Sequence, residues 1–560
     1  MAKKVLIVGG VAGGASCAAR LRRQAEDAEI VLFERGPSVS FANCGLPYYV
    51  GNVIQDEKKL LVASAELFKT RFNIEVRTEN EVVSIDRERR EIEVKRLLTG
   101  EVYREKYDAL VLSPGATPIR PELPGIDLPG IFSLRTIPDT RGIRSWIAER
   151  KVERAVIIGG GLVGLEMAEN LVTRGISVPV VEMLDQVLPP LDPEMAEPVQ
   201  GHLTKSGVSL HLSDALAGFE PSSTGGLVVR TKSGSRLPAD LVILSIGVRP
   251  EIKLAKDAGL TIGERGGIRV DEQMHTSDPN IWAVGDAVET RNFVTGEWGL
   301  VPLAGPANRQ GRVAADSICE QEAYFRGVQG TAVCGLFGLT VATTGANEKT
   351  LRRLGITNYQ KIYLHPGQHV SYYPGASPIH MKLLFAMDDG RILGAQALGQ
   401  DGVEKRIDVI AMAIQNGASV FDLEEAELCY APQFGAAKDP VNMAGMIASN
   451  VLRGDAPLAE WKELASTDAL LIDVRQPEEF AAEHIEGAIN LPLPQLRSRL
   501  EELPHNREIW LNCGVGQRSY YALRVLLQHG FKAKNLSGGF TTYKVLRPLL
   551  RAAVGQESTD

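Results

Sequence analysis

The feature that most constrains the fold is a strand, a glycine-rich turn, a helix and a second strand, a pattern that occurs twice in the chain. Each copy is the start of a βαβ unit, in which the glycine turn opens the helix. The predicted elements are strand Lys4–Val8, helix Ala15–Ala25 and strand Ile30–Phe33, then strand Ala155–Ile158, helix Val163–Thr173 and strand Ser177–Val181. Two such units in one chain predict two bound nucleotides, which favours an electron relay over simple binding.

The first glycine turn, Gly9–Gly14, has the context that a dinucleotide fingerprint needs. It follows a strand and opens a helix, and Glu34 ends the next strand about twenty residues later. Backbone N–H groups at a helix N-terminus can hold a pyrophosphate, and the acid can bind ribose. Val11 replaces the second glycine of the strict pattern. Because Asp286 lies in an Ala-Val-Gly-Asp turn that resembles the ribityl-binding motif of two-dinucleotide flavoproteins, we expect FAD here.

The second glycine turn is a complete fingerprint, with Gly159, Gly161 and Gly164 in place, and Glu182 ends the following strand. An acid at that position accepts hydrogen bonds from a ribose 2′-hydroxyl and repels a 2′-phosphate. No arginine or lysine stands beside Glu182 to reverse that preference. The pattern therefore predicts NADH in preference to NADPH, with use of both cofactors left open.

Length, charge and cysteine spacing argue against several other classes of protein. A chain of 560 residues suggests about three to four domains. The net charge of −8 argues against nucleic-acid or anionic-membrane partners, and no apolar run reaches the roughly 18 residues of a membrane span. The N-terminus enters a strand directly, so we expect no signal peptide and a cytoplasmic location. The six cysteines and nine histidines lack metal-ligand spacing, and no metal is predicted.

Cys44 stands in a loop of small and turn-forming residues shortly after the first βαβ unit. No second cysteine follows nearby, so it must react as a single thiol, forming a mixed disulfide, a persulfide or a sulfenic acid. Its small neighbours and the helix expected to begin there should lower its pKa. Four other cysteines are expected to be small buried hydrophobes: Cys17, Cys319, Cys334 and Cys429.

Taken together, the Gly9–Gly14 turn, the Ser40–Pro47 run, the second fingerprint and residues 276–286 resemble the coenzyme A disulfide reductase family, over about residues 1–450. This resemblance implies a homodimer with FAD, in which a single cysteine accepts a CoA thiol from a CoA disulfide or persulfide. It implies further contacts of Val11, Ala12, Arg35, Val82, Ser113, Gly115 and Ala304 with FAD, and of Leu162, Val163 and Gly247 with NAD.

The same resemblance implies a CoA site. Basic side chains can hold the CoA phosphates, and tyrosine hydroxyls can meet a sulfur leaving group. The matching positions in this chain are Arg20, Arg23, Ser40, Asn43, Arg71 and Asn308, together with Tyr372, Tyr430 and Lys438 of the partner subunit. The two tyrosines are the candidate catalytic residues among them.

The C-terminal segment carries a second sulfur motif. Cys513 ends a predicted strand and opens a Gly-Val-Gly loop that leads to Arg518 and a helix. Successive backbone N–H groups in such a loop form an anion nest that stabilises a thiolate or persulfide, and Arg518 would add positive charge. With Asp473, His484 and the Leu-Ser-Gly-Gly run ending at Gly539, the segment resembles a single-domain rhodanese over about residues 461–550. We assign His484 no chemistry.

The predicted fold class is α/β: two Rossmann-like dinucleotide-binding domains, an α+β dimerisation domain and a C-terminal α/β rhodanese domain. The expected boundaries are 1–118 and 251–330 for the FAD domain, 119–250 for the NAD(P)H domain, 331–450 for the dimerisation domain, 451–460 for a linker and 461–553 for the rhodanese domain. The dimerisation domain is expected to contain strands Lys361–Leu364, Met381–Ala386 and Ile392–Leu398 and two helices.

The predicted function is NAD(P)H-dependent reduction of CoA disulfide or CoA persulfide through FAD and Cys44, coupled to sulfur transfer at Cys513 from a sulfane-sulfur donor. One alternative is an NADH oxidase or peroxidase that cycles Cys44 through a sulfenic acid. It is disfavoured because such relatives carry a histidine where this chain has Ala12. Another alternative makes the rhodanese module a sulfur carrier that docks a protein partner.

Overall fold

The computed structural model describes residues 3–223 and 225–557, which form two compact units. The first unit comprises the described residues up to Val187 together with Gly207–Val328. The second comprises Leu188–Ser206 and the described residues from Gln329 onward. No helix among the described residues combines the length and the apolarity that a membrane crossing requires.

The first unit contains two parallel five-stranded sheets, one for each predicted βαβ unit. Both Lys4–Val8 and Ala155–Ile158 occupy the centre of their sheets, and both strands are buried as the continuous apolar runs require. In spatial order the first sheet is Ile281–Ala283, Ala109–Leu112, Lys4–Val8, Glu29–Glu34, Glu75–Thr78, and the second is Val208–His211, Val178–Val181, Ala155–Ile158, Leu241–Leu244, Ile131–Ser133. The two fingerprint helices are Ala12–Gln24 and Leu162–Val172.

Smaller antiparallel sheets and further helices complete this unit. The strands are Asn80–Asp86, Glu91–Arg96 and Val102–Lys106; Leu216–Pro221, Leu227–Thr231 and Arg236–Ala239; Ala116–Pro118 with Val248–Pro250; and Thr290–Arg291 with Trp298–Gly299. The helices are Leu46–Val50, Ala65–Phe72, Ile137–Arg150, Lys253–Asp257 and Ala304–Ile318, with 3₁₀ turns at Asn43–Gly45, Glu57–Leu60 and Gly285–Ala287. Strand Ile281–Ala283, within residues 276–286, pairs in parallel with Ala109–Leu112 of the first sheet.

The second unit begins with an antiparallel sheet that packs under helices. Its strands, in spatial order, are Ala332–Leu336, Leu339–Gly345, Ile392–Gly399, Ile379–Ala386 and Tyr359–Leu364. Its helices are Pro193–Lys205, Glu348–Arg353, Val403–Gln415, Val420–Glu425 and Pro440–Leu452. The three predicted strands are present, but the first two strands and the short helices were not predicted, because their glycine-rich or brief runs carry little periodicity.

The rest of the second unit is a five-stranded parallel sheet. In spatial order its strands are Leu458–Ala459, Ala533–Leu536, Ile509–Asn512, Leu470–Asp473 and Ile489–Asn490. Its helices are Pro477–Ala482, Leu493–Leu496, Gln517–Gln528 and Gly539–Glu557, with 3₁₀ turns at Trp461–Glu463 and Leu500–Glu502. The sheet places Cys513 directly after a central strand, so the loop that follows opens at the carboxyl edge, where parallel sheets bind ligands.

A buried ion cluster joins helix Pro193–Lys205 to the antiparallel sheet. The carboxylates of Asp192, Glu194 and Glu348 have oxygens within 4.8 Å of one another. The ammonium of Lys382 lies among them, 2.7 Å from Asp192 and 2.6 Å from Glu348. Because the fully buried Lys382 is paired with all three acids and Lys361 adds a second positive charge at Glu348, the cluster is an ion-paired core and not a vacant cation site.

Candidate active sites

The first glycine turn is fixed by close backbone contacts. Gly9 has a φ of 94°, and a Cβ there would stand 2.0 Å from the carbonyl oxygen of Ser113. A Cβ on Gly14 would stand 1.9 Å from the carbonyl oxygen of Gly9. The Gly10 N–H donates to the Glu34 carboxylate at 2.9 Å. Glycine is therefore required in this turn, which brings the helix N-terminus and the acid to the edge of the sheet.

A cavity of about 880 Å³ lies beside this turn, at the carboxyl ends of the central strands of the first sheet. Its volume is in the range of cofactor sites. Seven of the predicted FAD residues line it: Gly9, Val11, Glu34, Arg35, Val82, Ser113 and Gly115. The close glycine contacts, the helix N-terminus and the volume together fit a dinucleotide of the size of FAD.

The other four predicted FAD residues do not line that cavity directly. Ala12 and Ala304 begin their helices, and Gly14 packs on Gly9. Asp286 lies in the 3₁₀ turn Gly285–Ala287 and accepts a hydrogen bond from the Arg135 guanidinium at 3.0 Å. Because Arg135 lines the cavity, it connects Asp286 to the site. No motif in the sequence points to Arg135.

The second glycine turn repeats the geometry of the first. A Cβ on Gly159 would stand 2.4 Å from the carbonyl oxygen of Ser245, and one on Gly164 would stand 2.0 Å from the carbonyl oxygen of Gly159. The buried Glu182 carboxylate accepts hydrogen bonds from the N–H groups of Gly160 at 2.7 Å and Leu184 at 2.9 Å. The acid thus lies against the fingerprint, as an NAD site requires.

The remaining predicted NAD residues surround this turn. Gly161 caps the helix that begins with Leu162, and Val163 is exposed on its first turn. Gly247 has a φ of 101° and precedes strand Val248–Pro250 at the end of the crossover. These positions lie at the carboxyl edge of the second sheet, and they fit a nicotinamide dinucleotide at the helix N-terminus.

Cys44 lies in the 3₁₀ turn Asn43–Gly45 and its side chain is exposed. Although it is exposed, the atoms packed around the thiol and the Glu166 carboxylate raise its pKa, which its own backbone N–H and Arg135 lower to a smaller extent. The expectation of a lowered pKa is therefore wrong. The helix that follows has only five residues, and no motif in the sequence indicates that an acid lies near the thiol.

Glu166 and Tyr48 are further residues of this site that the sequence did not reveal. The Tyr48 hydroxyl donates to the Glu166 carboxylate at 3.3 Å. Burial raises the pKa of Glu166, although the Tyr48 bond opposes the shift. Glu166 comes from the second fingerprint helix and Tyr48 from the short helix Leu46–Val50 after Cys44, so only the fold brings them together.

The other predicted buried cysteines have mixed outcomes. Cys17 and Cys334 are buried, as expected, and Cys319 is half-buried. Cys429 is exposed, so that expectation is wrong. It lies in the irregular segment between helices Val420–Glu425 and Pro440–Leu452.

The predicted CoA residues of the first unit lie on the surface near the Cys44 loop and the first helix. Arg20 is paired with Asp316 at 2.6 Å, whereas Arg23 and Arg71 are exposed. Asn308 is hydrogen-bonded to Ser16, and Ser40 has a φ of 47°. The Asn43 amide nitrogen donates to the Arg135 carbonyl, and its buried oxygen has no partner among the described residues. Asn43 also lines the 880 Å³ cavity.

Two predicted catalytic tyrosines meet in the second unit. The hydroxyls of Tyr372 and Tyr430 are 2.8 Å apart, and both rings are exposed. The hydrogen bond to Tyr430 raises the pKa of Tyr372. Lys438 is exposed in the turn before helix Pro440–Leu452. An exposed pair of hydroxyls is not a core contact, so these rings are available to a ligand.

Cys513 lies at the base of the predicted anion loop. It is buried, and the Ser519 hydroxyl donates to its sulfur at 3.3 Å. Arg518 reaches the same loop, but its guanidinium forms two hydrogen bonds with Glu479, at 2.6 and 2.7 Å. Arg518 holds the pKa of Glu479 at about 2, so this ion pair persists across the neutral range. The positive charge predicted at the loop is present and paired.

Comparison with known proteins identifies the family. The pyridine nucleotide-disulphide oxidoreductase family matches residues 3–311, more than half of the chain. The chain belongs to this family. The dimerisation domain of the same family matches residues 331–439, and the rhodanese-like domain family matches residues 458–545.

Relatives of this oxidoreductase include the coenzyme A disulfide reductase of Staphylococcus epidermidis, which is 34% identical over 79% of this chain and 99% of its own length. The reduced Bacillus anthracis protein called CoADR-RHD is 49% identical with a TM-score of 0.95, and covers 98% of this chain and 99% of its own. An NAD-dependent persulfide reductase from A. fulgidus is 37% identical with a TM-score of 0.88, covering 96% and 100%.

These similarities confirm the predicted fold class and enzyme class. The chain is an oxidoreductase with two dinucleotide-binding folds, a dimerisation domain and a rhodanese-like domain. FAD and NAD(P) are the cofactors of its family, and its two glycine turns fit them. The roles of single site residues stay predictions.

Proposed function

We propose that this oxidoreductase reduces CoA disulfide or CoA persulfide with NADH through Cys44, and transfers sulfane sulfur at Cys513. The observation that carries the first part is an exposed, unpaired Cys44 on a loop beside the cavity that fits FAD. Its neighbour Asn43 lines that cavity. The similarity to a CoA disulfide reductase and to a persulfide reductase supports the substrate class.

FAD, when bound, supplies a group that accepts a hydride from NADH and passes the electron pair to sulfur. The chain supplies the nucleophile. The Cys44 thiolate attacks CoA disulfide, forms Cys44–S–S–CoA and expels one CoA thiolate. Two electrons and two protons then return Cys44 and the second CoA as thiols. On CoA persulfide, attack at the inner sulfur gives the same mixed disulfide and expels hydrosulfide.

The residues around the thiol control its protonation. Because burial and the Glu166 carboxylate raise the pKa of Cys44, a base must take the thiol proton as the sulfur attacks. Arg135 opposes this effect and would stabilise the thiolate. We infer that Asn43, with an unsatisfied amide oxygen, holds the CoA arm beside the thiol.

We further propose a homodimer, in which the exposed Tyr372 and Tyr430 of the partner subunit give a proton to the departing CoA thiolate. The dimerisation-domain match and the exposure of both hydroxyls support this arrangement. Lys438 and the arginines Arg20, Arg23 and Arg71 would hold the CoA phosphates. The six cysteines all lie among the described residues and form no disulfide there, which suits a reducing compartment, so we propose a cytoplasmic location.

The Cys513 loop supports sulfur transfer from a sulfane-sulfur donor. The thiolate would take the outer sulfur of the donor to form a persulfide, which the loop N–H groups stabilise. The Ser519 hydroxyl already donates to this sulfur atom. Arg518 keeps its positive charge close to the loop, and that charge is paired with the Glu479 carboxylate.

The mixed disulfide gives a direct test. Enzyme with Cys44 as a free thiol and with oxidised flavin is incubated anaerobically with CoA disulfide without NADH, and its intact mass and tryptic peptides are measured. We expect one CoA per chain, attached to Cys44, in wild type and in Cys513→Ser, and none in Cys44→Ser. Attachment to Cys429, the other exposed cysteine of the described chain, would contradict the proposal.

A further inference from the structure

The segment 537–542 of the second unit touches the Cys513 loop on one side. The Phe540 N–H donates to the carbonyl oxygen of Cys513 at 2.7 Å, and the Thr541 N–H donates to that of Gly514 at 2.9 Å. These two bonds fix the first two peptide groups of the loop that carries the sulfur. Any shift of the segment must therefore move the loop.

On its other side the segment is bonded to the dimerisation domain. The Tyr363 N–H donates to the Ser537 hydroxyl at 2.9 Å. The Thr542 hydroxyl lies 2.8 Å from Nε2 of His365. Ser537 and Thr542 are both buried, so neither bond is exposed to competing water.

Two adjacent glycines show how tightly the segment is held between these parts. A Cβ on Gly538 would stand 2.7 Å from Cβ of Tyr363 and 3.1 Å from Nε2 of His365. A Cβ on Gly539 would stand 2.3 Å from the carbonyl oxygen of Cys513. Gly538 thus packs against the dimerisation domain and Gly539 against the Cys513 loop, and neither position has room for a side chain.

The imidazole ring of His380 holds that of His365 in place by a hydrogen bond. Nδ1 of His365 lies 2.7 Å from Nδ1 of His380, so the pair shares a single proton between these nitrogens. Because the Thr542 hydroxyl can donate or accept, either tautomer of His365 keeps both of its bonds. Burial and the neighbouring His380 lower the pKa of His365 to about 3, and burial lowers that of His380. Both rings are neutral at pH 7, as this shared-proton contact requires.

We propose that His365 and His380 are positioning residues for Cys513. His380 orients His365, His365 holds Thr542, and segment 537–542 holds the Cys513 loop in the shape that binds the transferred sulfur. Sulfur transfer then depends on contact with the dimerisation domain, although neither histidine touches the sulfur. The inference rests on the proposed sulfurtransferase function of Cys513.

The test removes one hydrogen-bonding group at a time and restores it with a close analogue. Thr542→Val and His380→Leu break the hydrogen bonds that link His380, His365 and Thr542. Thr542→Ser keeps the hydroxyl, and His380→Asn keeps a hydrogen-bonding atom near the Nδ1 position. Thr541→Val is the matched control, because it changes the neighbouring threonine and keeps its backbone bond to Gly514. All variants are full-length holoenzymes.

Thiosulfate serves as donor and cyanide as acceptor. The Cys513 thiolate takes the outer sulfur and releases sulfite, and cyanide then takes that sulfur as thiocyanate and restores the thiolate. We expect kcat to fall about tenfold in Thr542→Val and His380→Leu with a nearly unchanged KM for thiosulfate. Thr542→Ser, His380→Asn and Thr541→Val should stay within about twofold of wild type. Reduction of CoA disulfide should be the same in all five.

Alkylation of Cys513 by iodoacetamide gives a second readout. The sulfur is almost fully buried, so a loosened loop should increase its alkylation rate in the two disrupting variants and leave it unchanged in the other three. Equal loss of sulfur transfer in Thr541→Val and Thr542→Val, or full activity in Thr542→Val and His380→Leu, would overturn the inference. If wild type transfers no sulfur, or Cys513→Ser transfers it normally, the proposed sulfurtransferase fails and this inference fails with it.

Discussion

The hydroxyls of Tyr372 and Tyr430 lie 2.8 Å apart, although 58 residues separate them along the chain. Both rings project from the surface of the second unit, where an aromatic pair with nothing to bind would expose apolar area without gain. Because the contact raises the pKa of Tyr372, its hydroxyl stays protonated over the neutral range and can donate a proton or a hydrogen bond.

Removal of either hydroxyl should slow the reductase. We expect Tyr430→Phe and Tyr372→Phe to lower kcat with CoA disulfide about tenfold to a hundredfold, because the leaving thiolate loses its proton donor. The neighbouring Tyr373→Phe is the control, since its ring packs on His369 and lies outside the pair. Steady-state NADH oxidation under argon gives the rates. Equal rates for Tyr373→Phe and Tyr430→Phe would show that the pair of Tyr372 and Tyr430 does not act as the proton donor.

Glu166 should control the ionisation of Cys44. Burial and the Glu166 carboxylate both raise the thiol pKa, so Glu166→Gln, which removes only the charge, should lower that pKa and shift the pH profile of Cys44 alkylation to lower pH. The alkylation rate follows the thiolate, which forms as pH rises through the pKa. Peptide mass spectrometry after timed iodoacetamide treatment gives the profile. The account is wrong on this point if Glu166→Gln leaves the profile in place, or if Glu169→Gln on the same helix shifts it equally.

Glu182 should set the choice between the two nicotinamide cofactors. Its carboxylate lies against the second glycine turn, where a 2′-phosphate would meet a like charge. We expect Glu182→Gln to increase the ratio of kcat/KM for NADPH over NADH about tenfold. Asp185→Asn, an exposed acid three residues later, makes the same change in charge and should leave the ratio alone. An unchanged ratio in Glu182→Gln would show that the ribose 2′-position of the cofactor does not lie against Glu182.

The Lys382 cluster should dominate the stability of the second unit. Burial alone would raise the pKa of Glu348, but Lys382 and Lys361 hold it well below its ordinary value. Lys382→Met leaves three buried acids without their common partner and should cost about 3–5 kcal/mol, seen as a lower Tm at pH 7. Lys462→Met, on the surface, should change Tm little. A carboxylate whose pKa is lowered by folding stabilises the folded state fully at pH values above its unfolded-state pKa. This stabilisation is lost as pH falls below that pKa.

This dependence of stability on pH gives a further check on the Lys382→Met variant. As pH falls below the ordinary pKa of a glutamic acid, the wild-type Tm should fall more steeply than that of Lys382→Met, because the variant lacks the charge that lowers the pKa of Glu348 most. Scanning calorimetry from neutral pH down to about pH 3, below the ordinary glutamic acid pKa of about 4.3, provides the comparison. Parallel curves would show that Lys382 does not hold Glu348 ionised.

The two glycine turns could be predicted because their chemistry is local. Lys4–Val8 and Ala155–Ile158 have the predicted bounds, and Glu34 and Glu182 both reach the N–H groups of their own turns. Spacing along one βαβ unit fixes these contacts. Cys44 and Cys513 were also found from their flanking residues.

The remaining site residues depend on contacts between distant segments. Glu166 reaches the Cys44 loop, and Arg135 reaches Asp286, only because separate elements pack together. The wrong sign for the Cys44 pKa has the same origin, since the sequence shows the helix that follows a thiol but not the acid opposite it. The link from His380 to the Cys513 loop likewise joins two domains whose motifs are independent in sequence.

The most direct test of the account is anaerobic NADH oxidation with CoA persulfide and with CoA disulfide, by wild type, Cys44→Ser and Cys513→Ser. We expect wild type and Cys513→Ser to turn over at least one of the two substrates, with hydrosulfide released from the persulfide, and Cys44→Ser to be inactive on both. Turnover by Cys44→Ser, or NADH consumption that needs oxygen or peroxide and ignores both CoA compounds, would contradict the account.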